Sequence, residues 1–447
     1  MSEERYIAAI EISSSKIVAA VGKTTGEGPL EVIAIEEEPG VDIVRYGIIQ
    51  NLEETSVKVA KVINRLQQRK GVAPLQIKSL LVGLSGRSMR NIPVDVSLPL
   101  AEDTEISDEV LTRLRNDARR TPVDPSLVVV DVVPRIYRIG KTETLSPKGM
   151  VGNHISATFD LIVCRQELQR NLQRTIQEKL GIRVAGYVVT ALASGHLILT
   201  DEEKRLGCMF VDMGAETTTV SIYAKGCFRY FATLPLGGRN ITRDVMSLSL
   251  LEEDAEQIKR TSGNAMPSDT APTLNINGVR LSDVSNLIVA RSEEIVANIV
   301  EQLEYASLKT TEYPSKIVYV GGGARLKNMP ELLATQSNLP LTRGSLPRYV
   351  FIDDKDLSIQ DVEQVVSVLY TGVRRTDCQC LEEPRREELP VNDVPSNQES
   401  PGNVPETPAE PAEPAPRPRK RGWMSGFKDR LANIFGGPED NSDLLDE

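Results

Sequence analysis

The sequence predicts an α/β fold, and three stretches carry that prediction. Residues 208–223, CMFVDMGAETTTVSIY, run as one apolar strand to Asp212 and Gly214, turn over two residues, and leave as an alternating strand. Near the N-terminus, YIAAIEI (6–12) and KIVAAV (16–21) repeat the design around Ser13, Ser14 and Ser15. The third stretch is KIVYV (316–320), which runs into Gly321, Gly322 and Gly323 ahead of the helical MPELLATQ. Strands joined by tight turns expose successive backbone N–H groups, and such a nest binds anions without side-chain charge. Serine hydroxyls and Lys16 add to the first hairpin, while three glycines let a backbone approach a ligand closely. Asp212, at a strand end, is placed to hold the water shell of a phosphate-bound Mg²⁺, which takes few protein carboxylates.

A chain of 447 residues is long enough for about three domains. Its net charge of −11 argues against nucleic-acid binding, which needs a basic footprint. Cys164, Cys208 and Cys227 lie in or beside strand-like runs, and Cys378 and Cys380 near the end of the folded body, so no disulfide framework is visible. The Cys378/Cys380 pair is open to a metal or redox reading and to a plain structural one. His154 and His196 are the only histidines, too few for a His-based metal site. With no signal sequence and no run of ~18 apolar residues, a cytoplasmic protein with reduced thiols is expected.

Along the chain, residues 55–70 read as a helix with Val59, Val62, Ile63 and Leu66 on one face and Gly71 at the C′ position. Residues 84–165 change character. Strands are expected at 90–98, 127–139 and 154–163 around a helix capped by Ser107, with Val110, Leu111, Leu114 and Ala118 inward. This is a small α/β insert in a larger domain. A helix over 166–180 follows, with Leu168, Leu172, Ile176 and Leu180 as its stripe and Gly181 at its end. Gly237 and Gly238 then turn into a helix that Asn240 or Thr242 caps, and LLEEDAEQIKR places Glu256 and Lys259 on one helix face. That pair is either a solvated ion pair or a pair of side chains reaching a nucleotide's ribose or base. A long amphipathic helix spans 285–310.

From Glu382 to Pro418 the chain is Pro- and Glu-rich with almost no large apolar residues, and reads as a flexible linker. Beyond it comes RKRGWMSGFKDRLANIFGG. At 100° per residue, Trp423, Met424, Phe427, Leu431, Ile434 and Phe435 share about one third of the helical wheel, with Lys428 and Arg430 at its edges. Snorkelling cations belong there. A helix of ~20 Å is too short to cross a ~30 Å bilayer core, so it is expected to lie in the membrane surface. Arg417, Arg419, Lys420 and Arg421 add attraction to anionic lipids of roughly 1 kcal/mol each. The acidic end, Glu439 to Glu447, moderates it. Docking of this helix on a protein partner ranks second.

Taken together, the hairpins, the Gly-Gly turn, the Glu256/Lys259 helix and VYVGGGARLKNMPELL occur in the order of the actin/Hsp70/sugar-kinase nucleotide fold. More closely, the chain resembles the FtsA family of bacterial cell-division proteins. VVTALASGHLILTDEEKRLG, PLGGRNITRDV, SPKGMVGNHI and the tail helix carry the likeness, which covers about residues 5–375 and 419–436. The resemblance implies an actin-like (ribonuclease H-like) two-domain fold with ATP and Mg²⁺ between the domains. Subdomain 1A is assigned to 1–83 and 166–195, the family's 1C insert to 84–165, and subdomains 2A and 2B to 196–375 with a return to 1A. The linker takes 376–418, the membrane helix 419–436 and the acidic tail 437–447.

By the same resemblance, Ser13, Ser14, Ser15 and Lys16 form the first phosphate loop. Asp212, Gly214, Ala215, Glu216, Thr217 and Thr218 form the second. Gly237, Gly238, Glu256, Lys259, Gly321, Gly322, Gly323 and Ala324 fall near the adenosine, and Glu11 joins Asp212 at the Mg²⁺ waters. Where the family has Asp-Ile-Gly-Thr this chain has Glu11-Ile12-Ser13-Ser14, and Ala215, Glu216 and Thr219 stand where Gly, Gly and often Asp are expected. The longer Glu11 and the charge of Glu216 near phosphates imply weak or absent hydrolysis.

In VARSEEIVANIV, Arg291 and Glu294 fall on positions the family uses to bind the C-terminal tail of FtsZ, or else form a solvated helix face. The insert is implied in polymerisation and in contacts with later division proteins. The function implied is a peripheral adaptor that self-associates and holds the FtsZ ring to the cytoplasmic face of the inner membrane at the septum. A sugar kinase, an Hsp70-like ATPase and a pilus-assembly relative are the rivals of the same fold.

Overall fold

Ile7, Ala8, Ala9 and Ile10 are all fully buried, the pattern of a strand covered on both faces. In the computed structural model, which describes residues 4–384 apart from 27, 41, 268–274, 277, 353–361 and 376, this strand is Glu4–Ile12. It lies inside a six-stranded sheet ordered Arg183–Val189, Ser79–Leu84, Glu4–Ile12, Lys16–Thr25, Leu30–Pro39 and Val350–Ile352. Three antiparallel strands run from Glu4 to Pro39, and Ser79–Leu84 and Arg183–Val189 add in parallel. The helices Leu52–Gln68, Thr190–Ile198 and Glu363–Val373 cover it. Glu363–Val373 returns late in the chain to this first lobe, where a Cβ on Gly372 would come within 2.6 Å of Ile7.

The same pattern recurs in a second lobe. Cys208–Met213, Thr218–Ala224 and Cys227–Leu234 form three antiparallel strands, with Lys316–Val320 and Leu341–Arg343 parallel on the far side. A separate apolar core, including Met209, Val211, Ile241, Ile258, Ile288 and Ile299, lies between this sheet and the helices Gly238–Met246, Glu252–Ser262, Leu281–Tyr305 and Met329–Ser337.

The insert has its own core, centred on Phe159 with the Tyr137 ring edge-on at 5.8 Å. Its strands are Arg90–Glu105, Leu127–Ile139, Thr142–Thr144 and Val151–Arg165. Its helix Asp108–Arg119 is capped by the Ser107 hydroxyl as expected. Chain connectivity ties the insert to the first lobe, yet its sheet continues that of the second through the pair Ala232–Arg90. A buried polar knot secures this seam. Arg135 grips Asp160 through Nε–Oδ2 at 2.9 Å and Nη2–Oδ1 at 2.6 Å, and also donates to the Arg229 carbonyl at 3.0 Å. Asn91 donates to Asp160 and accepts from the Phe231 amide.

Four local expectations change. The turn of the central hairpin spans four residues, Gly214 to Thr217, because Met213 pairs with Thr218. Gly71 is not a C′ residue; the helix ends at Gln68 and Arg69 leaves in extended conformation. The helix after the insert is α only over Gln166–Gln173 and π over Arg174–Lys179. A stripe spaced every four residues drifts ahead of a 3.6-residue turn, and the wider turn brings Ile176 back into line with Leu168 and Leu172. The linker also starts later than residue 376. Leu381–Glu382 pairs with Gln76–Ile77, and Cys378 and Cys380 are buried with Sγ atoms 3.8 Å apart. The Pro/Glu-rich linker, the membrane-helix residues Trp423, Met424, Phe427, Lys428, Arg430, Leu431, Ile434 and Phe435, and the acidic tail lie outside the described residues. Among the described residues no helix is long and apolar enough to cross a membrane.

Asp160 is fully buried, so removing its partner leaves an unpaired charge. Arg135→Met is expected to cost about 3–5 kcal/mol of insert stability, read as early unfolding of the insert in urea by hydrogen exchange.

Candidate functional site

Alternation in two copies of one strand–turn–strand unit brings the ends of Glu4–Ile12 and Cys208–Met213 together between the lobes, with Glu11 on one strand and Asp212 on the other. Burial, and then the negative charge of Asp212, push the Glu11 carboxyl up to about 8, with Lys16 pulling the other way. From the first lobe's returning helix, Gln364 donates across the gap to Asp212 at 3.2 Å.

The first loop presents backbone rather than serine hydroxyls. The Ser13 hydroxyl donates to the Lys16 carbonyl at 2.8 Å, and the buried Ser14 hydroxyl accepts from the Gly47 amide at 3.4 Å. The Ser13 and Ser14 hydroxyls are thus engaged within the protein. What remains is the exposed Ser15 and the turn amides of Ser14 and Ser15, which make no backbone hydrogen bond among the described residues. The Lys16 ammonium lies 3.0 Å from Glu37.

In the second loop, Gly214 donates to the Thr217 carbonyl at 2.8 Å, closing the turn, and Thr218 donates to the Leu236 carbonyl. The Gly237-Gly238 turn packs directly on this loop. The Gly238 and Arg239 amides donate to the carbonyls of Gly214 and Ala215, and a Cβ on Gly237 would meet the Ala215 oxygen at 2.5 Å. The N-cap of the following helix is Gly237, not Asn240 as expected; Asn240 sits at the third helical position and reaches back to accept from the Gly237 amide at 3.0 Å. Thr242 does not cap it. Glu216 does not project its charge freely at a phosphate. It is buried, accepts from the Tyr46 amide of the first lobe at 2.6 Å, and pairs with Arg243.

Glu256 and Lys259 are no solvated surface pair. The Lys259 ammonium donates to Glu256 at 2.6 Å, Thr242 at 2.8 Å and the Gly238 carbonyl at 3.0 Å. Burial opposes the Glu256 carboxylate, but Lys259, Thr242 and Arg260 prevail and hold its pKa at about 2. The cluster therefore fixes the Gly-Gly turn. Gly321 ends its strand at φ +93°, where a Cβ would meet the Asp212 carboxylate at 2.6 Å. Gly322, Gly323 and Ala324 continue as a 3₁₀ turn beside the second loop.

Arg291 and Glu294 sit apart on Leu281–Tyr305. Arg291 is held by Asp244 at 2.5 and 3.0 Å and by Glu294, so an acidic peptide would have to exchange with these partners. Tyr46, Arg243, Thr242 and Gln364 were not legible as site residues, since each acts through a partner distant in sequence or on another helix.

Glu11, held as an acid chiefly by burial and then by the charge of Asp212, makes with Asp212 a carboxylate pair that fits a hydrated divalent cation, with the backbone of a turn on either side for phosphates. The folded-state pKa of Glu11 lies above its usual value. Its contribution to stability is therefore fully present below about pH 4.5 and is lost as pH rises through about 8. In Glu11→Gln this loss disappears, so thermal melts from pH 6 to 9 without divalent cations are expected to show the variant gaining on the wild type up to about pH 8 and levelling off above it.

The family model for cell division protein FtsA matches residues 209–359, and that for the SHS2 domain inserted in FtsA matches residues 86–163. The cell division protein FtsA of Porphyromonas gingivalis is 28% identical over 383 residues, covering 83% of this chain and 78% of its own length. That of Pseudomonas aeruginosa is 27% identical over 355 residues, covering 76% and 83%. Among solved structures, the PilM-PilN type IV pilus biogenesis complex matches with a TM-score of 0.59 at 18% identity, over 82% of this chain and 98% of that one. At that identity the likeness shows the fold alone, an actin-like one.

Proposed function

Because the chain belongs to the FtsA family of cell-division proteins, we propose that it is an ATP-dependent membrane adaptor, binding ATP with Mg²⁺ between its lobes. The approach of Glu11 and Asp212 beneath two amide-lined loops carries this reading. The amides of Ser14 and Ser15 would meet phosphate from one side and those of Ala215, Glu216 and Thr217 from the other. Lys16 would exchange Glu37 for phosphate. Glu11 and Asp212 would hold the water shell of the cation, whose chemistry is to offset phosphate charge. Gly321 to Ala324 leave room for adenosine, and Lys259 and Glu256 hold the turn beside it. Glu11, whose pKa burial and Asp212 raise to about 8, would release its proton to solvent when the cation's charge is held there. A nucleotide held this way serves lobe closure rather than turnover.

The tail helix, read from its sequence, would lie in the cytoplasmic membrane surface, with Arg291 and Glu294 on the face that meets the acidic FtsZ tail. One short helix binds reversibly, so self-association into actin-like filaments multiplies the hold. The insert is the surface assigned to later division proteins, and the septal side of the inner membrane the place of action. Domain limits remain as assigned, with the linker starting after Glu382.

At pH 7, calorimetry in buffers of different ionisation enthalpy is expected to show close to one proton released from the wild type on Mg-ATP binding, and none from that site in Glu11→Gln. Absence of Mg-ATP binding to the wild type overturns the nucleotide reading. In co-sedimentation with anionic liposomes, the full chain is expected to pellet, ATP to strengthen it, and Phe427→Glu or a chain ending at Pro416 to stay in solution. Equal pelleting of the truncated chain refutes the membrane reading.

A further inference from the structure

The loop that would carry phosphates also grips the opposite lobe. Glu216, in the four-residue turn of the second hairpin, has a fully buried side chain. Its carboxylate accepts from the Tyr46 amide at 2.6 Å and pairs with Arg243. Tyr46 belongs to the first lobe and Arg243 to the helix Gly238–Met246 of the second. The Arg243 guanidinium also donates to the Tyr46 hydroxyl at 3.4 Å and lies 5.9 Å from its ring centre, while Arg87 lies 5.3 Å from the same ring.

A second tie runs beside the first. Arg239, nearly buried, bridges Asp42 of the first lobe at 3.0 Å and Glu252 of the second at 2.8 Å. The receiving loop is held in a costly shape: Asp42 and Tyr46 have φ of +69° and +50°. Such conformations persist where surrounding contacts over-determine them. Parting the lobes exchanges a charge-assisted hydrogen bond and the Tyr46–Arg243 contacts for water, which favours closure.

We propose that Glu216 is a cross-lobe latch that holds the cleft shut and sets how fast nucleotide enters and leaves. It rests on the nucleotide reading above for its ligand, but not for its geometry. Because the carboxylate springs from the phosphate-facing turn itself, displacement of that turn and release of Tyr46 are one movement. Glu216 is thus a positioning residue whose charge is spent on the opposite lobe.

Stopped-flow kinetics with a fluorescent ATP analogue and Mg²⁺, together with hydrogen exchange at residues 42–50 without nucleotide, test this on the full chain. Glu216→Ala is expected to speed both association and dissociation by about tenfold, with the equilibrium constant nearly unchanged, and to raise exchange at the Tyr46 amide. Glu216→Gln, which keeps an acceptor for Tyr46 but loses the charge pair, falls between. Asp42→Ala, cutting the second tie at its exposed end, gives a smaller increase and keeps the test open should Glu216→Ala fold poorly. Slower dissociation and tighter binding in Glu216→Ala would instead make Glu216 a repeller of phosphate and overturn the latch. Unchanged exchange at residues 42–50 would overturn it too. If the wild type binds no analogue, the nucleotide reading fails by itself, and exchange at Tyr46 still decides whether the lobes are tied.

Discussion

Two carboxylates that repel each other across the meeting point of two sheets set the terms for everything around them. Glu11 and Asp212 lie where the first strands of the two lobes end, with Lys16 of the next strand acting on Glu11 from the same sheet. Keeping them close costs electrostatic work, which protonation of Glu11 and the amide of Gln364 offset. The rest of the cleft is arranged around that approach. Gly321 leaves its strand at φ +93°, where a Cβ would strike the Met213 carbonyl and the Asp212 carboxylate, and Gly237 lets the next turn lie flat on the second loop.

Much of this was readable from period and punctuation. The two strand–turn–strand patterns, the Ser107 cap and the KIVYV strand ahead of three glycines are all local signals, and local rules place them correctly. The limits of local reading are equally specific. The Ser13 hydroxyl satisfies its own turn at the Lys16 carbonyl, but the Ser14 hydroxyl meets the Gly47 amide 33 positions on, a contact no local rule supplies. Glu216 read as a misplaced charge because its partners, Tyr46 and Arg243, are 170 and 27 positions away. Lys259 looked like half of a surface pair until the Gly238 carbonyl, 21 positions back, supplied the reason for its burial. No pattern in one sequence encodes such contacts; only the packed lobes do.

The short helix Gly238–Met246 gathers these contacts. Its N-terminal turn lies on the second loop, Arg239 and Arg243 reach the first lobe and Glu216, Thr242 meets the Glu256/Lys259 cluster, and Asp244 holds Arg291 on the long helix. Neighbouring side chains of one rigid turn therefore face the cleft and the candidate peptide surface at once.

The seam between insert and second lobe has a mechanical meaning. The insert is chained to one lobe and sewn to the other at Ala232–Arg90, and from that stitch the 16-residue strand Arg90–Glu105 extends outward for up to about 50 Å. A beam of that length is a gear: a turn of the second lobe by about 5° would sweep its far end by roughly 4 Å. Motions too small to notice at the two cleft loops become displacements the size of a side chain at the rim, where a neighbouring molecule would feel them.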